Sequence, residues 1–215
     1  MDEALRAAVL AGSVQDIVAS VQGGADVNAR DEDGETVLTL ATGIELGPER
    51  AEACVRCLLR LRARVSEEQP QGGLGTSVHL AAAHGYTGAL KELLSADGKV
   101  SLNAFDDLSR TPLICAAQNG HIAEASMLLE ASADVDAHDD RRIGNTALNE
   151  SVQSGNEAMV RLLLKYGADP TVPGWMQLSA LDRARDWAAA DSAPELRQIY
   201  ELLEQKAGSS RKKRS

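Results

Sequence analysis

Residues 111–121 read TPLICAAQNGH, and how those eleven positions are read decides the fold. A cysteine, a histidine and an asparagine stand close together there, as they could in a reactive site. The alternative is architecture. Thr111 is a side chain that accepts a backbone N–H at a helix start, Pro112 suits the first helical position, and Gly120 suits a helix end. Between them lies a short apolar run that a packed helix would bury.

Self-similarity along the chain favours architecture. TVLTLATG begins at 36, TSVHLAAAHG at 76, TALNESVQSG at 146 and SALDRARD at 179. Their first residues, Thr36, Thr76, Thr111, Thr146 and Ser179, lie 40, 35, 35 and 33 positions apart. Leucine pairs follow: Leu93-Leu94, Leu128-Leu129 and Leu163-Leu164 each fall 17 and 18 residues after their threonines. A third motif, GADVNARD at 24–31, SADVDAHD at 132–139 and GADP at 167–170, has the Gly and Asp/Asn content of tight turns. Each unit therefore reads as helix, turn, helix and extended finger.

These motifs resemble the ankyrin repeat family, whose period is about 33 residues with a T-P-L-H-x-A signature. The resemblance implies an all-α solenoid of about six helix-turn-helix units with β-hairpin-like fingers, capped at both ends. The units fall at about 3–30, 31–68, 69–105, 106–138, 139–172 and 173–206, one repeat domain over 1–207. Leu58-Leu59 come 22 and 23 residues after Thr36, so IELGP (44–48) lengthens the loop of the second unit. Extra residues also lengthen ADGKVSLN (96–103), DAHDDRRIGN (136–145) and DWAAADSAPE (186–195). Beyond the last helix, SSRKKRS reads as a disordered basic tail over 208–215, more a solubilising end than a targeting signal.

Bulk composition is consistent with this. Aromatics are 3% of 215 residues, so the core must be built of Ala, Leu and Val. A net charge of -10 repels phosphate backbones and argues against a nucleic-acid partner. No apolar run is long enough for a membrane span, and MDEALRAAVLAG opens acidic where a secretory leader would be basic, so a cytoplasmic chain is expected. The rest of the acidic residues read as solvated surface.

Chemical motifs are sparse. Cys115 stands in the slot that holds Leu40 and Leu80, which makes it a small core residue, and His121 falls at a structural histidine position. Cys54 and Cys57 form a C-x-x-C, but His79, His84, His121 and His138 lack the clustered spacing that would complete a zinc site. They read as a helix stripe, with a redox or metal-dependent module as the alternative. GGLGT (72–76) has no following Lys for a phosphate loop and reads as finger flexibility. Neither an enzyme nor a cofactor is expected.

What the resemblance implies instead is a monomeric scaffold that binds another protein along its fingers and inner helices. Stacked about 8–10 Å apart, six units give a face on the order of 50 Å long, enough for an ordinary protein interface. By register that face includes Glu32, Asp33 and Glu35, then Asp107, Ser109 and Arg110, then Arg142, Ile143 and Asn145 from the fingers. His84, Gln118, Asn119, Gln153 and Ser154 join from the inner helices. Trp175 and Met176 in the last finger and Trp187 after the last inner helix either anchor the partner or plug the end of the stack.

Overall fold

The computed structural model describes residues 1–43, 45–68, 75–139, 144–189 and 194–214. Helices occur in pairs: α1 (Glu3–Leu10) with α2 (Val14–Gln22), α3 (Val37–Ala41) with α4 (Pro48–Arg60), and α5 (Ser77–His84) with α6 (Thr87–Ser95). Then come α7 (Pro112–Asn119) with α8 (Ile122–Glu130), α9 (Ala147–Gln153) with α10 (Glu157–Lys165), and α11 (Ala180–Ala189) with α12 (Pro194–Arg214). Odd-numbered helices pack on one another in chain order as an inner layer, and even-numbered helices do the same as an outer layer. The chain is an ankyrin-type solenoid.

Each inner helix starts where a side-chain oxygen can take up an orphan backbone N–H. Thr36 accepts from Thr39 N at 3.3 Å, Thr111 from Ile114 N at 3.3 Å, Thr146 from Asn149 N at 3.2 Å and Ser179 from Asp182 N at 3.1 Å. At Thr76 the box is closed from the other side, its N–H donating to His79 Nδ1 at 3.1 Å. Ends are equally specified. Gly85 and Gly120 terminate α5 and α7 with φ of 69° and 74°, a left-handed backbone that L side chains rarely adopt.

Between the layers runs one continuous apolar core, with Leu38, Leu58, Leu90, Leu93, Leu113, Leu128, Leu148, Leu163 and Leu203 all buried. Each such side chain contributes about 1.5–3 kcal/mol on burial. Ala81, Ala82, Ala116 and Ala117 are buried too, and their small size lets successive inner helices approach closely.

The recurring Asp and Asn of the third motif do more than make turns. Asn28 Oδ1 accepts from Arg64 N at 3.0 Å, Asp97 from Val65 N at 3.0 Å, Asn103 from Asp134 N at 2.8 Å and Asp136 from Asp169 N at 3.0 Å. Every one of these bonds spans about one repeat, so the loops are stitched unit to unit.

The structure departs from the sequence reading in three places. First, α12 continues to Arg214, where a disordered tail was expected from 208. A helix already docked through Ile199, Leu203 and Ala207 propagates with one added hydrogen bond per residue, and no proline stops it. Second, the fingers carry no strand among the described residues beyond one isolated bridge, Pro173 to Ser179. The fingers at 31–35 and 106–110 close on aspartate-centred turns. Third, Glu68, Asp106 and Glu124 are buried acids, not solvated ones, because Glu68 and Glu124 meet donors from neighbouring segments and Asp106 meets them within its own finger. The expected long loop of the second unit lies between Ala41 and Pro48, and GGLGT falls mostly outside the described residues.

Candidate partner-binding cleft

The finger at 106–110 shows how a short sequence sets the site. Asp106 N–H donates to Arg110 O at 2.9 Å, while Asp106 Oδ1 accepts from Leu108 N at 3.0 Å and Arg110 N at 2.8 Å. Its second oxygen takes Arg110 Nε at 2.9 Å and Nη2 at 2.7 Å. One buried carboxylate therefore holds both the backbone and the guanidinium. Asp31 organises the finger at 31–35 the same way, accepting from Asp33 N at 3.1 Å and Glu35 N at 2.8 Å. The tips differ: Glu32 and Asp33 are charged, whereas Leu108 is 67% exposed.

Asp107, Leu108, Ser109 and Arg110 form one wall of a cleft of about 410 Å³; Ile114, Gln118 and Glu150 come from the inner helices, and Gly144, Asn145 and Trp175 from the next two fingers. Six residues that register had assigned to the partner face are thus gathered at one place: Asp107, Ser109, Arg110, Gln118, Asn145 and Trp175. Within it Arg110 Nη1 reaches Gln118 Oε1 at 3.3 Å, and Asn145 Nδ2 donates to Glu150 Oε1 at 2.7 Å. Ser109 is a correction, since it is buried, with a φ of 60°, and its hydroxyl donates to Asp139 Oδ2 at 2.8 Å. It ties two fingers together.

Trp175 stands at the rim, 58% exposed. Its backbone N–H donates to Asn145 Oδ1 at 2.8 Å and its backbone carbonyl accepts from Arg183 Nη2 at 3.1 Å. The following Met176 is 63% exposed, and Met176 and Gln177 both have left-handed backbones, φ 61° and 59°. Trp187 behaves otherwise: it is half-buried and packs on the core at the end of the stack.

Other expected residues lie apart from the cleft. Glu32 and Asp33 are exposed on the first finger, and Glu35 is half-buried there with its carboxyl pushed up by burial and by Asp31 and Asp33. His84 faces inward along the stack, its Nδ1 2.9 Å from Thr42 O and its ring 5.4 Å from that of Tyr86. Asn119 is exposed but donates to Cys115 O at 2.9 Å. Gln153 and Ser154 are exposed at the end of α9, and Arg142 and Ile143 lie outside the described residues. Leu108 and Glu150 were missed by register reading. The signal for Leu108 was there, as the one aliphatic residue in DDLSR, a stretch otherwise of finger type.

The thiols are placed against chemistry. Burial pushes Cys115 up to about 12 and raises Cys54 and Cys57 as well, opposite to what a nucleophile requires. Among the described residues no group of three or more His, Cys, Asp or Glu could hold a metal ion, and no helix is long and apolar enough to cross a membrane.

A family profile described as ankyrin repeats (3 copies) matches residues 78–173. No curated protein matches the sequence. Among solved structures, the ankyrin repeat domain of Bcl-3, described as a unique member of the IkappaB protein family, superposes with a TM-score of 0.76 at 26% identity, over 95% of this chain and 86% of that one. The ankyrin repeat protein EF0377 gives 0.77 at 25% identity, over 94% and 96%. An ankyrin repeat domain from Acinetobacter baumannii AYE gives 0.73 at 26% identity, over 94% and 96%.

Proposed function

Since the chain is a member of the ankyrin repeat family, we propose that it acts as a non-catalytic, monomeric module of the cytoplasm. It binds a protein partner through its fingers and inner-helix face, and by covering that partner's surface inhibits or sequesters it. The observation that carries this reading is the cleft: Leu108 and Trp175, both more than half exposed, stand on fingers braced from below and flank polar inner-helix groups. Large apolar groups at the rim of a polar depression are the usual anchors of protein interfaces.

Affinity capture with two baits tests it, the wild-type chain and a Leu108→Ser/Trp175→Ala double variant. Specific proteins retained by the first and lost by the second support the proposal. Recovery of none, or equal recovery by both, counts against it.

A further inference from the structure

A carboxamide donates from its nitrogen and accepts on its oxygen, and Asn145, half-buried just ahead of the α9 cap Thr146, uses both ends. Its Nδ2 donates to Glu150 Oε1 on α9 at 2.7 Å. Its Oδ1 accepts the backbone N–H of Trp175, 30 residues further along the chain, at 2.8 Å. The amide thus joins an inner helix of one unit to the finger of the next. Gly174 is buried against the same group: a Cβ there would stand 2.5 Å from Asn145 Oδ1 and 2.6 Å from Asn149 Nδ2, so the missing side chain lets the finger come this close.

The rest of that finger is held as well. Arg183 Nη2 donates to Trp175 O at 3.1 Å, and Asn149 Nδ2 to Leu178 O at 3.0 Å. Met176 and Gln177 have left-handed backbones without being glycine, and Arg183 Nε is buried with no hydrogen-bond partner among the described residues. Left-handed non-glycine residues and an unsatisfied buried N–H both cost stability. Burial of the indole does not offset that cost, because Trp175 remains 58% exposed. Fixing an exposed aromatic before contact does, however, reduce what a partner must order on docking.

Resting on the interaction-module reading, we infer that Asn145 is a positioning residue for partner binding, which acts by clamping the Trp175 backbone to α9. Register counted Asn145 as a contact; its two bonds make it a brace beneath one. Its anchor point is braced in turn, since Glu150 also attracts Arg110, which Asp106 holds at 2.7 Å.

Nitrogen-15 relaxation of the chain labelled only at tryptophan tests this, because the two backbone amides, of Trp175 and Trp187, report the finger and an internal reference. The Trp175 order parameter should be about 0.85 in the wild type and below about 0.6 in Asn145→Leu, with Trp187 unchanged. Asn145→Asp sets a carboxylate against Glu150 and should loosen Trp175 likewise. Asn145→Asp/Glu150→Gln restores a donor and an acceptor to the pair, with their places exchanged, and should return Trp175 to the wild-type value. Proteins retained by the wild-type bait should bind Asn145→Leu about three- to tenfold more weakly, the effect of ordering one more side chain on docking. A Trp175 amide as rigid in Asn145→Leu as in the wild type overturns the inference, as do loosening of Trp187 alongside it, no recovery in the exchanged pair, or partners held equally by Asn145→Leu. In each of those cases the module reading stands; an empty capture by the wild-type bait removes that reading and the inference with it.

Discussion

At Glu68 burial and hydrogen bonding pull in opposite directions. Desolvation lifts its carboxyl to about 7, although Ser77 N donates at 3.0 Å, Ser77 Oγ at 2.8 Å and Thr36 Oγ1 at 3.1 Å, and Asp97 adds repulsion. The unfolded chain releases this proton near the ordinary carboxyl value of 4.5, so between there and about 7 the folded state holds the extra proton. Stability from this group is fully present below pH 4.5 and is lost as pH rises through about 7, by about 3 kcal/mol in all. Urea melts across that window should show the decline, and Glu68→Gln should flatten it and be the more stable form at pH 8. Nothing in EEQP marked Glu68 for burial, because the donors that draw it in belong to two repeats. Cysteines, by contrast, were readable from register alone. A thiol reagent at pH 8 should label Cys54 and Cys115 only after denaturation; rapid native labelling would restore the redox alternative.

Helix ends carry the link from element to element. Gly85 is required twice, by its φ of 69° and by the His121 ring, which would lie 2.8 Å from a Cβ there. That ring in turn bonds Ala83 O at 3.1 Å, occupying a carbonyl left open at the end of α5. Gly85→Ala should therefore cost about 2–3 kcal/mol, and His121→Ala about 1–2. The double variant should cost less than their sum, since removing the ring relieves the clash, and a double-mutant cycle by thermal melts reads that coupling. The helix pairs, their caps and the long second loop all followed from spacing, because caps and glycines act locally. The stitched loops did not, since their bonds reach some 30 residues along the chain.

At the scale of the whole molecule the two tryptophans part company. Trp187 packs on the core and Trp175 does not, which fits the end-plugging role for Trp187. Trp187→Ala should lower stability by about 2 kcal/mol, whereas Trp175→Ala should stay within about 0.5. Six of the residues assigned by register meet in one cleft because fingers of successive units curl over the same inner helices; those on the first finger and at the end of α9 do not reach it. Docking of a protein partner on this finger and inner-helix face should be visible by hydrogen exchange of the chain, free and with a partner recovered by capture. Protection is predicted over 106–118, 144–150 and 174–178, with the outer helices α2, α4 and α6 unchanged. Protection confined to those outer helices, or centred on Cys54 and Cys57, would contradict it.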